Sequence, residues 1–317
     1  MKVEINGTEY DYLNHIVEND DIRNDFIGFI YESFGFDFDK WYKEGYWSEK
    51  YEPHVLVKDN QVVSTVTVNH MKYFFGEEKT YIQIGGVLTR EEYYKKGLSR
   101  WLMNQIVEQY KDKCEQIFLL SDDMAVDFYP KMGFKVAIEY IGTYEWKRKY
   151  CVLASKQPLN VRNLNIECTN DRKVLLDCYK QSNQFSIFPS VDCEELVVFY
   201  GLEFKKNFFY YFPELELVAI AKIKNNVLTI DDIYGKLDIN IENDGINLIN
   251  ILIKKILEQN KCEEEEMNIQ FGFSPKEELS GINLKPLIQK DDTMFLLADK
   301  ENLFELYKLR FPILSHN

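Results

Sequence analysis

The segment from residue 80 to residue 134 has the clearest pattern of apolar and polar positions in the chain. An apolar run rich in β-branched residues, between Tyr81 and Leu88, predicts a buried strand. A short polar loop follows and ends at Gly97. Apolar residues then recur at helical spacing, with polar residues between them: Leu98, Trp101, Leu102, Ile106 and Val107. The pattern therefore predicts a strand, a loop and an amphipathic helix in succession.

Two more elements are predicted after this helix. Residues 117–120 form a short apolar run that predicts a second strand. Residues 124–132 predict a second, shorter helix, and Gly133 stands where a left-handed residue commonly ends a helix.

The loop before the first helix has features of a phosphate-binding turn. A helix N-terminus presents unpaired N–H groups and the positive end of the helix dipole. Lys95 and Lys96 add positive charge, and Gly97 leaves the backbone open to a phosphate. The loop matches neither a GxGxxG nor a P-loop pattern. An ordinary β-loop-α unit with a lysine-rich turn explains these residues equally well.

Two motifs at a fixed separation extend this interpretation. The first has V-x-T at a strand end and a glycine-containing turn into a helix, formed by Val87, Thr89, Tyr93, Gly97 and Ser99. The second follows the pattern A-x-x-x-Y-x-K-x-GF, with Ala125, Tyr129, Lys131, Gly133 and Phe134. Together they resemble the GNAT superfamily of acyl-CoA-dependent N-acyltransferases. The resemblance is strongest over residues 80–140 and extends back to about residue 20.

The resemblance implies a fold class, a cofactor and site residues. The fold would be α/β with a mixed sheet, as in GNAT-like acyl-CoA N-acyltransferases. Acetyl-CoA would be the acyl donor, and Tyr129 would be the general acid that protonates the coenzyme A thiolate. The residues that would bind the cofactor are Val87, Leu88, Thr89, Tyr94, Lys95, Lys96, Gly97, Leu98, Ser99 and Asp122.

Four positions depart from the family pattern. Tyr94 stands where Arg or Gln is usual, Ser99 where Gly or Ala is usual, and Asp122 where Asn is frequent. Many members have a glutamate base on the central strand, but residues 80–89 offer only Gln83, which cannot act as a base. The base is therefore unassigned, and a water relay to His70, Asp37 or Asp39 is one option.

The region before the central strand predicts a hairpin, a helix and an aromatic wall. Residues 2–5 and 9–12 would pair around an Asn6-Gly7 turn, and Asp20 or Asp21 would cap the helix. Aromatic residues that could line an acceptor pocket are Phe36, Phe38, Trp41, Tyr42, Tyr46 and Trp47, with Glu32, Asp37 and Asp39 facing an amine. Most of these aromatic side chains could instead simply cover the sheet.

In the second half, residues 171–184 predict a helix, and residues 217–224 and 227–234 predict two strands joined by Asn225-Asn226. This half repeats the predicted order of the first, so we expect two tandem GNAT-like domains. The predicted domains are residues 1–150, catalytic, and residues 151–317, degenerate. The helix after strand 227–234 would begin near Ile239, Ile241, Glu242 and Asp244. Carboxylates there would repel a pyrophosphate, so the second copy would bind no coenzyme A. Alternatively, this half closes over the acceptor site, with Phe185, Phe188 or Tyr200 as wall residues.

Charge and composition limit the partners. The net charge of −14 argues against nucleic acid and mildly favours a cationic substrate; alternatively, the acidity only keeps the protein soluble. Six cysteines without CxxC spacing, and four histidines that do not cluster with them, predict neither a metal site nor a disulfide framework. Since there is no long apolar run and no signal-peptide pattern, we expect no membrane span and a cytoplasmic location.

The predicted function is acetyl transfer from acetyl-CoA to a primary amine of a small molecule or peptide. The alternative is a non-catalytic acyl-CoA-binding sensor or regulatory module. The missing strand carboxylate and Tyr94 favour the sensor, whereas the context of Tyr129 favours the enzyme.

Overall fold

The computed structural model describes residues 1–122, 125–151, 159–237, 241–287 and 292–315. For Asn243 it describes the backbone and not the side chain. Within these ranges the strands are β1 (Lys2–Ile5), β2 (Thr8–Leu13), β3 (Tyr51–Lys58), β4 (Gln61–Phe75), β5 (Glu77–Thr89), β6 (Gln116–Ser121), β7 (Phe134–Val136), β8 (Tyr140–Lys147), β9 (Arg162–Asn163), β10 (Ser190–Val191), β11 (Phe209–Phe212), β12 (Leu217–Lys224), β13 (Val227–Tyr234), β14 (Glu266–Phe271), β15 (Asn283–Pro286) and β16 (Thr293–Leu297). The α-helices are α1 (Asp20–Phe34), α2 (Asp39–Lys43), α3 (Leu98–Tyr110), α4 (Thr169–Tyr179), α5 (Glu194–Glu203), α6 (Ile241–Gln259) and α7 (Leu303–Tyr307).

The first sheet has the strand order β1-β2-β3-β4-β5-β6-β16-β7, with the short strand β10 paired to β4. Its neighbours are antiparallel except β5 and β6, which are parallel and are connected by α3. Helix α3 buries Leu98, Leu102 and Ile106 against one face of the sheet. Helix α1 buries Phe26 and Ile30 in a separate cluster that includes inward-facing residues of β3.

The second sheet has the order β15-β8-β14-β13-β12-β11-β9 and repeats the central plan of the first. Strands β12 and β13 form a hairpin, α6 follows, and β14 returns parallel to β13. Helix α6 packs on this sheet through Ile249, Leu252 and Ile256. The predicted α/β class with two GNAT-like sheets is therefore confirmed.

Each sheet contains a strand from the other half of the chain. Strand β16, near the C-terminus, lies between β6 and β7 in the first sheet. Strand β8, from the first half, lies between β14 and β15 in the second sheet. A large hydrophobic cluster also joins the two sheets, with Tyr73 and Phe118 from the first and Ile220 from the second. The boundary near residue 150 stays a prediction, and the two sheets do not divide the chain there.

Several predicted elements are confirmed by the structure. The turns Asn6-Gly7 and Asn225-Asn226 have the positive φ angles of tight hairpin turns. Strands β12 and β13 have the predicted bounds. None of the helices within the described ranges is long and apolar enough to cross a membrane.

Other predicted elements differ from the structure. The predicted helix 124–132 is wrong: the described residues have turns and a 3-10 helix at Tyr129–Met132, because Pro130 lacks the N–H of an α-helical turn, and Met124 lies outside the described residues. The helix predicted over 171–184 is α4, which starts earlier and ends at Tyr179. Helix α1 is capped by Asn19, whose side chain accepts from the Ile22 amide, rather than by Asp20 or Asp21.

Candidate functional site

The site is built where two parallel strands separate. Strands β5 and β6 pair from Tyr81 with Gln116 to Ile84 with Leu119, and the pairing stops there. On its other side β5 stays paired with β4, although the register shifts by one residue between Thr65 and Thr67. This β-bulge bends the strand. Within the described residues, the end of β5 is therefore left without a strand partner along one edge.

A polar groove of about 550 Å³ lies beside this exposed edge. We call it the polar groove; it is lined by the end of β5, the turn before α3 and the first turn of α3, together with Asn6, Ala125, Phe128 and Tyr129. Gly97 precedes α3 with a φ of +80°, a left-handed conformation that glycine adopts without strain. The side chain of Asn6 donates to the Lys96 carbonyl at 2.8 Å and fixes the turn. Sequence reasoning missed Asn6, which it treated only as a hairpin residue.

A chain of hydroxyl groups joins β5 to the start of α3. The Ser64 and Thr89 hydroxyl oxygens lie 2.8 Å apart, and the Thr89 and Ser99 oxygens lie 2.6 Å apart. The Ser64 hydroxyl also donates to the Leu88 carbonyl at 2.9 Å. The Ser99 hydroxyl is thus already hydrogen-bonded to the protein, and its main effect is to hold the helix N-terminus against the strand.

Most of the predicted cofactor residues meet in the polar groove. Those that line it are Val87, Leu88, Thr89, Tyr94, Lys95, Gly97, Leu98 and Ser99. Lys96 does not, because its ammonium lies over the Tyr93 ring, 4.4 Å from the centroid. Asp122 lines a neighbouring cavity instead, and its Oδ1 accepts from the Ala125 amide at 3.1 Å. Arg100 lines the groove and was not predicted.

The neighbouring cavity has a volume of about 340 Å³ and is mainly apolar. We call it the aromatic cavity; its aromatic lining residues are Phe34, Phe36, Phe38, Tyr51 and Tyr129. Gly85 and Gly86 form part of the floor. A Cβ at Gly86 would lie 3.0 Å from the Thr67 methyl group, so a side chain there would crowd the cavity wall.

Tyr129 lies where the two spaces meet. Val87, Leu88, Ala125 and Tyr129 line both the polar groove and the aromatic cavity. The Tyr129 side chain is nearly buried, and its ring packs edge-on against Phe128, with centroids 5.3 Å apart. Burial, together with the negative charge of Asp122, raises the pKa of Tyr129 to about 12. Its hydroxyl therefore stays protonated at neutral pH.

Comparisons with known proteins agree with this geometry. Residues 20–134 match the model of the acetyltransferase (GNAT) family. Residues 20–134 are a GNAT domain. No curated protein matches the chain at a significant level of sequence similarity.

Solved structures resemble both halves of the chain together. A probable N-acyltransferase from Enterococcus faecalis V583 has a TM-score of 0.57 at 13% identity, over 94% of this chain and 73% of its own. A GCN5-related N-acetyltransferase from Kribbella flavida has a TM-score of 0.54 at 13% identity, over 90% of this chain and 70% of its own. Eis1 from Mycobacterium abscessus has a TM-score of 0.52 at 11% identity, over 90% of this chain and 72% of its own. These similarities establish the fold of the two halves.

The candidate bases named from the sequence lie outside both spaces of the GNAT domain. His70 contacts Glu52, with Nε2 and Oε2 3.2 Å apart, and lines a separate small cavity. Asp37 accepts from the Asp39 amide, and Asp39 pairs with Lys43. Gln83 is fully buried, and within the described residues its amide has no hydrogen-bond partner. Strand β5 begins earlier than predicted, so it also contains Glu77 and Glu78, but they lie at its distant, exposed end.

Only part of the predicted aromatic wall lines the aromatic cavity. Phe36 and Phe38 do, while Trp41 and Trp47 are buried in the cluster under α1, against which Tyr42 and Tyr46 pack. Glu32 lies 3.6 Å from Arg90 instead of facing the cavity.

The second half of the chain contributes a residue that was not predicted. Phe185, Phe188 and Tyr200 do not line the aromatic cavity, because they pack in or against the hydrophobic cores. Asp292 does line the aromatic cavity. It directly precedes Thr293, the first residue of β16, which pairs with Ser121 in the first sheet.

The corresponding opening in the second sheet is filled by the chain itself. Strands β13 and β14 pair up to Ile230 with Phe271 and then separate, as β5 and β6 do. The segment 182–187 bridges their ends: Ser182 accepts from the Gly235 amide, and Phe185 accepts from the Lys276 amide. Helix α6 has Glu242 and Asp244 in its first turn, as predicted, while Ile239 lies outside the described residues.

Proposed function

We propose that the chain transfers an acetyl group from acetyl-CoA to a primary amine. The observation that supports this most strongly is the position of Tyr129 at the junction of the polar groove and the aromatic cavity. A thioester in the groove and an amine in the cavity would meet beside its hydroxyl. Holding both reactants at one point supplies a large part of the rate enhancement in such reactions.

The polar groove has the features that coenzyme A requires. Beyond Ile84, β5 has no strand partner on the β6 side within the described residues, so the backbone from Val87 to Thr89 is available to the extended arm of the cofactor. The pyrophosphate would lie at the turn before α3, near Lys95 and Arg100. Helix α3 has no acidic residue in its first turn, so its dipole remains available to an anion.

The transfer is a series of proton and bond changes that balance overall. The ammonium form of the amine loses a proton, and its neutral nitrogen attacks the thioester carbonyl carbon. The C–S bond then breaks, and the Tyr129 hydroxyl protonates the departing thiolate. The nitrogen releases its second proton to solvent, which reprotonates Tyr129. The products are an N-acetylated amine, free coenzyme A and one proton. Asp122 and Asp292 are the carboxylates that line the cavity where the first proton leaves.

A turnover assay with acetyl-CoA and a library of primary amines distinguishes this enzyme from the alternative, a non-catalytic acyl-CoA sensor. We expect an N-acetylated product with an equal amount of free coenzyme A, both measured by mass spectrometry. Binding of acetyl-CoA by calorimetry, with no product from any amine, would support the sensor instead.

A further inference from the structure

We propose that the aromatic cavity accepts a small aromatic primary amine in its cationic form, an inference that rests on the proposed acyl transfer. The cavity brings a stack of aromatic rings together with two carboxylates beside Tyr129. An arylalkylamine matches both features, since it has a flat ring and a single positive charge.

The rings of the cavity form a preassembled apolar surface. Phe36 packs edge-on against Phe38 with centroids 5.5 Å apart, and Phe38 lies 5.2 Å from Tyr51. Phe34 stacks on Phe36, with ring centroids 5.6 Å apart, and is 48% exposed. Because these rings hold one another in place, a ligand ring can bind among them without ordering a mobile wall.

The charges of the cavity favour a cation. Asp122 and Asp292 line it, and a carboxylate that already has a hydrogen bond, as Asp122 has to the Ala125 amide, still has acceptor sites for an ammonium group. The net charge of −14 adds long-range attraction for a cationic ligand.

The same features disfavour two other acceptor classes. A diamine or polyamine would place its second ammonium group beside the rings of Phe36 and Phe38, where it would lose contact with water. An amino acid would place its carboxylate in a cavity lined by Asp122 and Asp292. The volume of about 340 Å³ is at the small end of the range for ligand pockets, which suits a compact amine.

The first measurement compares acceptors with the wild-type protein at saturating acetyl-CoA. We expect kcat/KM for 2-phenylethylamine to exceed that for putrescine or glutamate by at least tenfold, on the order of one lost charge-assisted contact. A higher kcat/KM for putrescine or glutamate would overturn the proposal.

The second measurement tests Asp292. Asp292→Asn should raise KM for 2-phenylethylamine by about tenfold. The KM for 4-methoxyaniline, an arylamine that is neutral at the assay pH, should stay within about twofold of the wild-type value, since that acceptor presents no charge. The matched control is Asp299→Asn, which makes the same charge change just beyond the opposite end of β16, at an exposed residue outside the cavity. An equal effect of Asp292→Asn on both amines, or an equal effect of the two variants, would contradict the assignment.

Failure of the proposed function gives a different result. In that case no amine is acetylated, whether or not calorimetry without any amine shows binding of acetyl-CoA. If acetyl-CoA binds and other amines are acetylated but 2-phenylethylamine is not, only the acceptor class is wrong.

Discussion

The ring of Phe295 packs against the ring of Tyr129, with centroids 5.5 Å apart and an angle of 47° between the ring planes. Phe295 is fully buried and belongs to β16, which comes from the C-terminal half of the chain. Tyr129 belongs to the GNAT domain. The residue placed at the junction of the groove and the cavity is therefore supported from behind by the other half of the molecule.

Phe295→Ala should destabilise the fold, because it removes the ring that packs behind Tyr129. Removing a fully buried phenyl ring leaves a cavity and lowers the free energy of unfolding by about 3–5 kcal/mol. Urea denaturation measures this change. Leu306→Ala is the control, because Leu306 is 57% exposed and its removal leaves no cavity. Equal losses in the two variants would show that β16 is not part of the folded core.

Gly97→Glu should weaken binding of acetyl-CoA by more than about a hundredfold, because it adds a negative charge and a side chain at the predicted pyrophosphate position. Calorimetry measures the dissociation constant. Gly76→Glu is a matched control: Gly76 has a similar φ of +71°, lies in open space and is outside both cavities. The site would lie elsewhere if the folded Gly97 variant bound acetyl-CoA as tightly as the Gly76 variant.

One acetyl-CoA molecule should bind per chain. In the second sheet the diverging strand ends are bridged by residues 182–187, and Asn183 also donates to the buried Asp232 at 2.5 Å. Among the residues that the structure describes, no comparable opening remains between these strand ends for a cofactor arm. A calorimetric titration should give a stoichiometry of one, and a value of two would show that this segment moves aside.

Glu52→Gln should lower the free energy of unfolding at neutral pH, and the difference from wild type should shrink in acid. Glu52 is buried, and it accepts hydrogen bonds from Tyr110 at 2.5 Å and Asn14 at 2.9 Å. Burial alone would raise its pKa, but hydrogen bonds from His54, His70 and Tyr110 outweigh burial and hold the pKa below its usual range.

The direction of this pH dependence follows from the lower pKa of Glu52 in the folded protein. The carboxylate contributes stability above its unfolded pKa of about 4.3, and this contribution is lost as the pH falls. We therefore expect Glu52→Gln to cost about 1–3 kcal/mol of unfolding free energy at neutral pH and less below about pH 4. A cost that stays constant over this range would show that Glu52 is not ionised in the folded state.

Local elements of the fold could be predicted because local residues determine them. The Asn225-Asn226 turn and its alternating flanks specify β12 and β13, and the same holds for the Asn6-Gly7 hairpin. Most of the residues that line the polar groove were also named from the sequence, since they follow one another from the end of β5 to the start of α3.

Long-range features could not be predicted in the same way. The apolar pattern of β16 specifies a buried strand but not its neighbours, so its position between β6 and β7 was not foreseen. Asp292 enters the aromatic cavity only through that exchange, and no local motif marks it. The signal that could have corrected the helix over 124–132 was Pro130, which was outweighed by the family motif around it.

The most direct test of the account is turnover by wild type and Tyr129→Phe with acetyl-CoA and 2-phenylethylamine, measured as N-acetylated product by mass spectrometry. We expect wild type to form the product. We expect Tyr129→Phe to lower kcat by roughly a hundredfold with little change in acetyl-CoA affinity, because only the proton donor is removed. Equal kcat values, with the chemical step shown to be rate-limiting, would contradict the role of Tyr129. Absence of product from wild type with every primary amine would contradict acetyl transfer itself.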